Sequence, residues 1–383
     1  MTTVVLVGLR AGALDAAERL GLGAVAVTEA PPGPRRAARL AGHVQASFAA
    51  PPDAWRRVAR SLRAHRPAAI VALTERSVLP AAHLRAVLGL DGLTVEAAHA
   101  CTDKRAMKRA ARAAGLACAD VVEAEEGLSA DALVERLGLP LVVKPAVGSG
   151  GRGATVCRTR ADVPDALDPG WMAESFVDGV EMSAETLGGS ETGAGGSVWT
   201  NATRYVVPTW ASLLPAPPET DGLDAVRALA EAARRALGVD RGMTHLEAFQ
   251  TAGGPVFGEM AARPPGGHLM ALVRLAYGVD PWEAVLRAEL GDNPGLPAHA
   301  ARSAAAWIVH PGAGRVTRAE GAEACRALPG VEEVVLRVAP GDVVGPRTGS
   351  GEEVGHVLVT GATAAEAEAR LRAARDALRV EVA

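Results

Sequence analysis

The sequence predicts an α/β protein: a doubly wound parallel βα domain at the N-terminus, then a larger α+β body, then a small C-terminal α+β part. Three observations predict it. Over residues 1–100, fully apolar runs alternate with segments of helical periodicity. Lys144 sits in an apolar strand that leads through a Gly-rich stretch, residues 148–153, into a second strand. Residues 243–268 read as two strands joined by a Gly-Gly turn, with a Pro-Gly-rich exit into an apolar helix.

Residues 3–8 form a continuous apolar run, 11–22 have helical spacing, and 24–28 form a second apolar strand. Residues 55–65 read as a helix, 68–73 as a strand and 77–88 as a helix. Apolar strands linked by helices imply a parallel sheet covered on both faces, with ligands beyond the C-terminal strand ends. Glu75 and Arg76 stand at such an end, as a substrate contact or as a cap and a solvated charge. Gly8 with Gly12 is too sparse for a dinucleotide fingerprint.

Asp103 and Lys104 open a helix that runs to residue 114. Glu123, Glu125 and Glu126 read as an acidic linker, and Ser129 caps a helix ending at residue 137. The run Gly148-x-Gly150-x-x-Gly153 matches the dinucleotide pattern in letters, but β-branched residues follow it where a helix is required. No Lys-Ser/Thr follows Gly153, so the P-loop pattern fails as well. Two readings remain: a Gly-rich hairpin loop whose backbone N–H groups fold over phosphates, or an ordinary mobile hairpin. Residues 171–177, 180–187 and 197–207 read as strands, with a Gly/Ser-rich turn between Leu187 and Val198. Residues 207–218 read as a long Pro-rich surface loop, the kind that serves as a lid. Residues 223–237 form an amphipathic helix, and 269–277 and 281–290 read as two further helices. The tail reads as strands at 304–310, 331–338 and 356–360 and a closing helix at 364–378. The division expected is 1–100, 101–187, 188–297 and 298–383.

The hairpin carries the chemistry. Side chains alternate along a strand, so His245, Glu247 and Phe249 share a face. A turn of three or five residues places Glu247 opposite Glu259, with Cβ atoms about 4.5–5.5 Å apart. Two like charges so placed repel, and a divalent cation between them removes the repulsion. Carboxylate oxygens with open positions for phosphate suit Mg²⁺. Arg263 follows on the exit, and a guanidinium partners phosphate well. A one-residue slip in register would put the two carboxylates on opposite faces and leave a plain hairpin with two solvated Glu.

The 383 residues are 49% hydrophobic, enough for two or three domain cores, and the net charge of −4 points to neither nucleic acid nor an anionic membrane surface. There is no apolar run of membrane-spanning length and no secretion signal at the N-terminus, so a cytoplasmic location is expected. Cys101, Cys118, Cys157 and Cys325 are scattered, which suits a reducing compartment and neither a disulfide nor a zinc site. Of 40 basic residues only three are Lys: Lys104, Lys108 and Lys144. In so Arg-rich a chain, a surviving Lys is suspected of needing a compact ammonium.

In order along the chain, Asp103-Lys104, the strand VVKP with Lys144, GSGGRG, ESFVDGVE, THLEAF and GEMAARPPGG resemble the ATP-grasp superfamily over roughly residues 103–290. Within it, the run Gly242 to Glu247, G-x-T-H-x-E, resembles the carboxylate-amine ligases that join L-amino acids into dipeptides. The resemblance implies an α+β core of two subdomains that uses ATP and Mg²⁺, or Mn²⁺ in its place. It implies that Lys104 and Lys144 contact ATP phosphates, and that the loop of Gly148, Ser149, Gly150, Gly151 and Gly153 covers them. Glu174 would face the adenine edge, the backbone at Phe176 and Val177 would bond it, and Glu181 would take the ribose hydroxyls. Glu247 and Glu259 would hold the metal, and Arg263 would stabilise the transferring phosphoryl group, with His245 and Lys144 also placed in the catalytic set. Glu75, Gly266, Gly267 and His268 would face the substrate, and His245 and Glu75 are the candidate bases for the amine. Where many ATP-grasp enzymes carry Asn as a further metal ligand, this chain has Ala261. The expected partners are small-molecule substrates and a second copy of the chain. A biotin- or purine-type carboxylase and a nucleotide-binding protein without turnover are the rival readings.

Overall fold

Four short strands, β1 (Thr3–Val7), β2 (Gly23–Thr28), β3 (Gly42–Gln45) and β4 (Pro67–Ala72), run parallel in the order β3-β2-β1-β4. They belong to a computed structural model that describes residues 1–189, 197–207, 210–217, 220, 222–349 and 351–383. The doubly wound arrangement follows from apolar side chains on both faces of the central strands. Val5 and Val7 pack with Trp55, Leu62 and Leu84 of the helices Ala54–Arg63 and Val78–Leu88. Val4 and Leu6 pack with Leu14 of the helix Ala11–Arg19 and with Leu286 of the distant helix Pro281–Leu290. Arg19 adds ion pairs to Asp280 and Glu283, so the second face is closed by a helix from the later part of the chain. β3 is alternately exposed and half-buried, and its mixed GHVQ composition gave no strand signal.

The next sheet holds β5 (Val121–Glu123), β6 (Leu141–Pro145), β7 (Thr155–Cys157) and β8 (Trp171–Ser175), in the order β5-β8-β6-β7. The acidic stretch expected as a linker is instead strand and turn. Glu123 pairs with Arg109, and Glu126 lies 2.5 Å from Arg136.

The largest sheet has eight strands. It contains β9 (Val180–Gly188), β10 (Ser197–Val207), β11 (Ala211–Leu214), β12 (Gly242–Thr251), β13 (Gly254–Ala261) and β14 (Ser303–Val309). The chain continues through β15 (Gly314–Glu320), β16 (Val331–Leu336), β17 (Val343–Val344), β18 (Gly355–Gly361) and β19 (Arg379–Val382). The order in the large sheet is β13-β12-β9-β10-β11-β14-β18-β16, while β17-β15-β19 form a small separate sheet. Hydrogen bonding thus runs unbroken past residues 187 and 297, where divisions were expected.

The reading of residues 207–218 as a surface loop is corrected by β11. Ala211–Leu214 is buried along its whole length and pairs with β10 on one side and β14 on the other. A four-residue apolar run between prolines is too short to show a period, so only its neighbours reveal it. Pro208, Thr209 and Pro218 lie outside the described residues, as does most of the Gly/Ser-rich turn between Leu187 and Val198.

The hairpin β12–β13 is where local geometry decides the site. Thr251 pairs with Gly254, so the turn has two residues, and neither the three- nor the five-residue turn expected is present. A regular two-residue hairpin would set Glu247 against Gly258. A bulge between Glu247 and Ala248 advances the register by one, and Glu247 pairs with Glu259 after all. Gly258 is the extra residue. A Cβ on it would stand 2.7 Å from the backbone oxygen of Glu247, closer than such atoms approach. Gly258→Ala is therefore expected to disturb the bulge and separate the two carboxylates, lowering ATP turnover about tenfold or more while β12 itself persists. A turnover assay alongside circular dichroism checks this; wild-type turnover would show that the bulge tolerates a methyl group.

Among the described residues no helix is long and apolar enough to cross a membrane.

Candidate active site

The helix Lys104–Ala113 organises one side of the site. Asp103 caps it by accepting from the Arg105 N–H, and the Lys104 N–H donates to the Ala146 carbonyl at 2.8 Å. Lys104 and Lys108 are one turn apart and share a face. Lys104 Nζ donates to the Gly148 carbonyl at 2.7 Å and stands 3.3 Å from Glu259. Lys108 Nζ lies 3.5 Å from Glu174 Oε1, donates to the Phe257 carbonyl at 3.2 Å and sits 5.6 Å from the centre of the Phe257 ring. Lys144 Nζ is 2.7 Å from Glu174 Oε2. All three lysines of the chain therefore meet in one place. Burial alone would raise the Glu174 carboxyl, but Lys108 and Lys144 outweigh it and hold it below the usual carboxylate range. Burial pulls the Lys108 ammonium down, against the attraction of Glu174. Glu174 is thus a salt-bridge partner of two lysines, a role the sequence did not suggest.

The paired strands supply the second side. Glu185, fully buried on β9, accepts from Ser183 Oγ at 2.8 Å, Thr203 Oγ1 at 2.7 Å, Asn201 Nδ2 at 3.0 Å and His245 Nδ1 at 3.0 Å. His245 Nε2 is 3.5 Å from Glu247 Oε1. Burial opposes its charge, yet the carboxylates on both its nitrogens push the imidazole up to about 9. His245 is thus held between Glu185 and Glu247. Burial also works against the Glu247 carboxylate, but His245, Arg263 and Lys104 hold it below its ordinary value. For Glu181 the balance goes the other way: burial and the charges of Glu247 and Glu259 outweigh the pull of His245 and push it up to about 7.

Glu247 and Glu259 fit a hard divalent cation. Each belongs to the same facing pair, and a cationic side chain stands against each: His245 by Glu247 and Lys104 by Glu259. Among the described residues no three His, Cys, Asp or Glu side chains gather to hold a metal alone. Two carboxylates would thus leave most positions to phosphate oxygens and water, as Mg²⁺ prefers. Ala261 pairs with His245 and offers no ligand.

Arg263 is held by Glu75, with Nε donating to Oε2 at 2.8 Å, while Nη1 donates to the Pro264 carbonyl at 3.1 Å. Glu75, expected at the substrate, is first the partner of Arg263. Burial raises its carboxyl against the pull of that guanidinium. Gly266, Gly267 and His268 form the turn into the helix Leu269–Tyr277, with the Leu269 N–H donating to the Gly266 carbonyl. His268 adopts φ +65°, rare for a side chain of its size, and its ring lies 3.8 Å from that of His356. Burial and His356 push His268 down to about 4, with Arg337 adding to the effect and Glu353 and Glu333 opposing it. The unfolded chain takes up a proton near pH 6.5 that the folded chain refuses until about 4. Stability is therefore lost as pH falls through that window. Asn tolerates the left-handed backbone, so His268→Asn is expected to flatten the fall in melting temperature between pH 7 and pH 4.5. Parallel curves for the two proteins would contradict it.

Gly148, Gly150, Gly151 and Gly153 all have positive φ, and with Ser149 they form the connection from β6 to β7. Arg152 in that connection is 3.5 Å from Glu352 of the C-terminal part. Phe176, half-exposed, donates its N–H to the Pro140 carbonyl at 3.3 Å, and Val177 follows it in the link from β8 to β9.

Residues 103–180, which hold the lysines, the Gly-rich connection and Glu174, match the ATP-binding domain of the carbamoyl-phosphate synthase L chain. In these segments and in its fold the chain resembles the ATP-grasp superfamily of carboxylate-amine ligases. Residues 306–383 match the L-amino acid ligase C-terminal domain 2. The chain is 25% identical over 305 residues to an L-arginine-specific L-amino acid ligase of Bacillus subtilis, covering 73% of this chain and 72% of that one. Against another curated relative, it spans 63% of that protein's length. Its fold is similar to the L-amino acid ligase from Bacillus licheniformis, at TM-score 0.80 and 21% identity over 100% of this chain and 99% of that one. It is also similar to N5-carboxyaminoimidazole ribonucleotide synthetase from Thermotoga maritima, at TM-score 0.77 and 17% identity over 100% of both chains.

Two residues of the site escaped the sequence reading. Lys108 was visible as one of three lysines, but nothing in the sequence said what it faced. Glu185 gave no signal beyond its place in a strand, since its donors come from three different strands.

Proposed function

We propose that the chain is an ATP- and Mg²⁺-dependent ligase that joins the carboxylate of an amino acid to an amine, as in dipeptide formation in secondary metabolism. The carboxylate attacks the γ-phosphoryl group of ATP, giving an acyl-phosphate and ADP; the amine then attacks the acyl carbon and releases phosphate. The observation that carries the reading is Glu247 facing Glu259, with Lys104 against the second of them. The amino-acid substrate class is supported by the matched C-terminal domain and by the named specificity of the Bacillus subtilis relative.

Phosphoryl transfer asks a protein mainly for positioning and charge neutralisation. Lys104 and Lys144 would meet the phosphates, and Glu181, Phe176 and Val177 the nucleoside. Arg263, oriented by Glu75, would accompany the transferring group. The Gly148–Gly153 connection would shield the acyl-phosphate from water. Gly266, Gly267 and His268 would face the carboxylate substrate. Mg²⁺, or Mn²⁺, held by Glu247 and Glu259 would supply further charge neutralisation at the terminal phosphates. A homodimer in a reducing cytoplasm completes the reading, and the four free cysteines suit that compartment.

The test is phosphate release from ATP across pairs of amino acids, with and without bicarbonate. Release that requires two amino acids is expected. Release driven by bicarbonate would favour a carboxylase, the reading that the likeness to the Thermotoga maritima fold keeps in play. Tight ATP binding with no release under any condition would favour a nucleotide-binding protein.

A further inference from the structure

We propose that Lys108 is a positioning residue that gives the Lys144 end of the site its net positive charge, and that nucleotide phosphates are held through that charge. This rests on the ATP-dependent reading above. Glu174 is a single carboxylate between two ammonium groups, 2.7 Å from Lys144 and 3.5 Å from Lys108. With both lysines present the group carries one positive charge in excess. Without Lys108, Lys144 and Glu174 cancel, and the polyphosphate meets a neutral pair.

Three features support the assignment. Lys108 is 2% exposed, so its charge acts through protein, where a unit charge is felt far more strongly than through water. Its other neighbours are the Phe257 carbonyl and the Phe257 ring, which accept a compact ammonium. A guanidinium in that space would bring more donors than Glu174 Oε1 and the Phe257 carbonyl can receive. In a chain with three Lys among 40 basic residues, a buried Lys at this point is the choice such a space dictates. Lys108 also shares its helix face with Lys104, so one helix sets both the phosphate-facing charge and the cation beside Glu259.

Calorimetry on the whole protein tests this, with ADP and adenosine as probes. Lys108→Met is expected to weaken ADP binding about tenfold or more and to change adenosine binding by no more than about twofold, because adenosine has no phosphate. The KM for ATP should rise by the same factor while kcat changes little. The double variant Lys108→Met with Glu174→Gln removes one charge of each sign and is expected to recover most of the lost ADP affinity. Equal weakening of ADP and adenosine would show a merely structural role and overturn the proposal. So would unchanged ADP binding, or a double variant weaker than the single one. If the wild-type protein bound no ADP at all, the nucleotide reading itself would fall, which is a different result from a Lys108 variant that binds normally.

Discussion

Glu247→Gln is expected to lower phosphate release by at least about a hundredfold without lowering the melting temperature by more than a few degrees. The two effects have one cause. Glu247 faces Glu259 across the β12–β13 ladder, with His245 against the first and Lys104 against the second. The amide has nearly the same shape but no charge, so the metal seat is lost while the hairpin keeps its packing. His245 keeps its bond to Glu185 and stays in place. Melting curves without added metal, set beside a phosphate-release assay at saturating Mg²⁺, check both halves. Turnover above about a tenth of wild type would mean that the metal is held elsewhere.

Lys144→Met is expected to reduce turnover by about a hundredfold or more, with the fold retained. The Lys144 side chain is 16% exposed and extends from β6 to Glu174, so a methionine of similar length can occupy its path. Glu174 keeps Lys108 as its partner, and no buried carboxylate is left alone. What is lost is the ammonium nearest the bound nucleotide in the proposed arrangement. Far-ultraviolet circular dichroism would be unchanged, and the KM for ATP would rise. Wild-type turnover by this variant would remove Lys144 from the site.

Much of this site was legible because its chemistry lies in short runs of sequence. The alternation His245, Glu247, Phe249 shows a shared face without any knowledge of neighbours, and the scarcity of Lys marks all three lysines that converge. The βα units of the first hundred residues were equally plain, since buried parallel strands are apolar on both faces. What stayed hidden depends on pairing between distant strands. β11 is a strand because β10 and β14 flank it, and its own four residues carry no period. The facing of Glu247 and Glu259 was expected from a longer turn, yet it comes from a shorter turn and a bulge at Gly258, two departures that cancel. The charge of His245 depends on Glu185, sixty residues earlier, and on a bond network through Ser183, Asn201 and Thr203 that no local spacing encodes.

The position of β11 has a practical consequence for truncation. With β10 on one side and β14 on the other, β11 ties β14, β18 and β16 to the core through main-chain bonds, and these strands cannot be shed as an appendage. A fragment stopping before β14 would bare a rank of unsatisfied amides and carbonyls along an apolar ribbon, an invitation to intermolecular strand exchange and precipitation. Any shortened version made for crystallisation or assay must keep β14, β18 and β16 together.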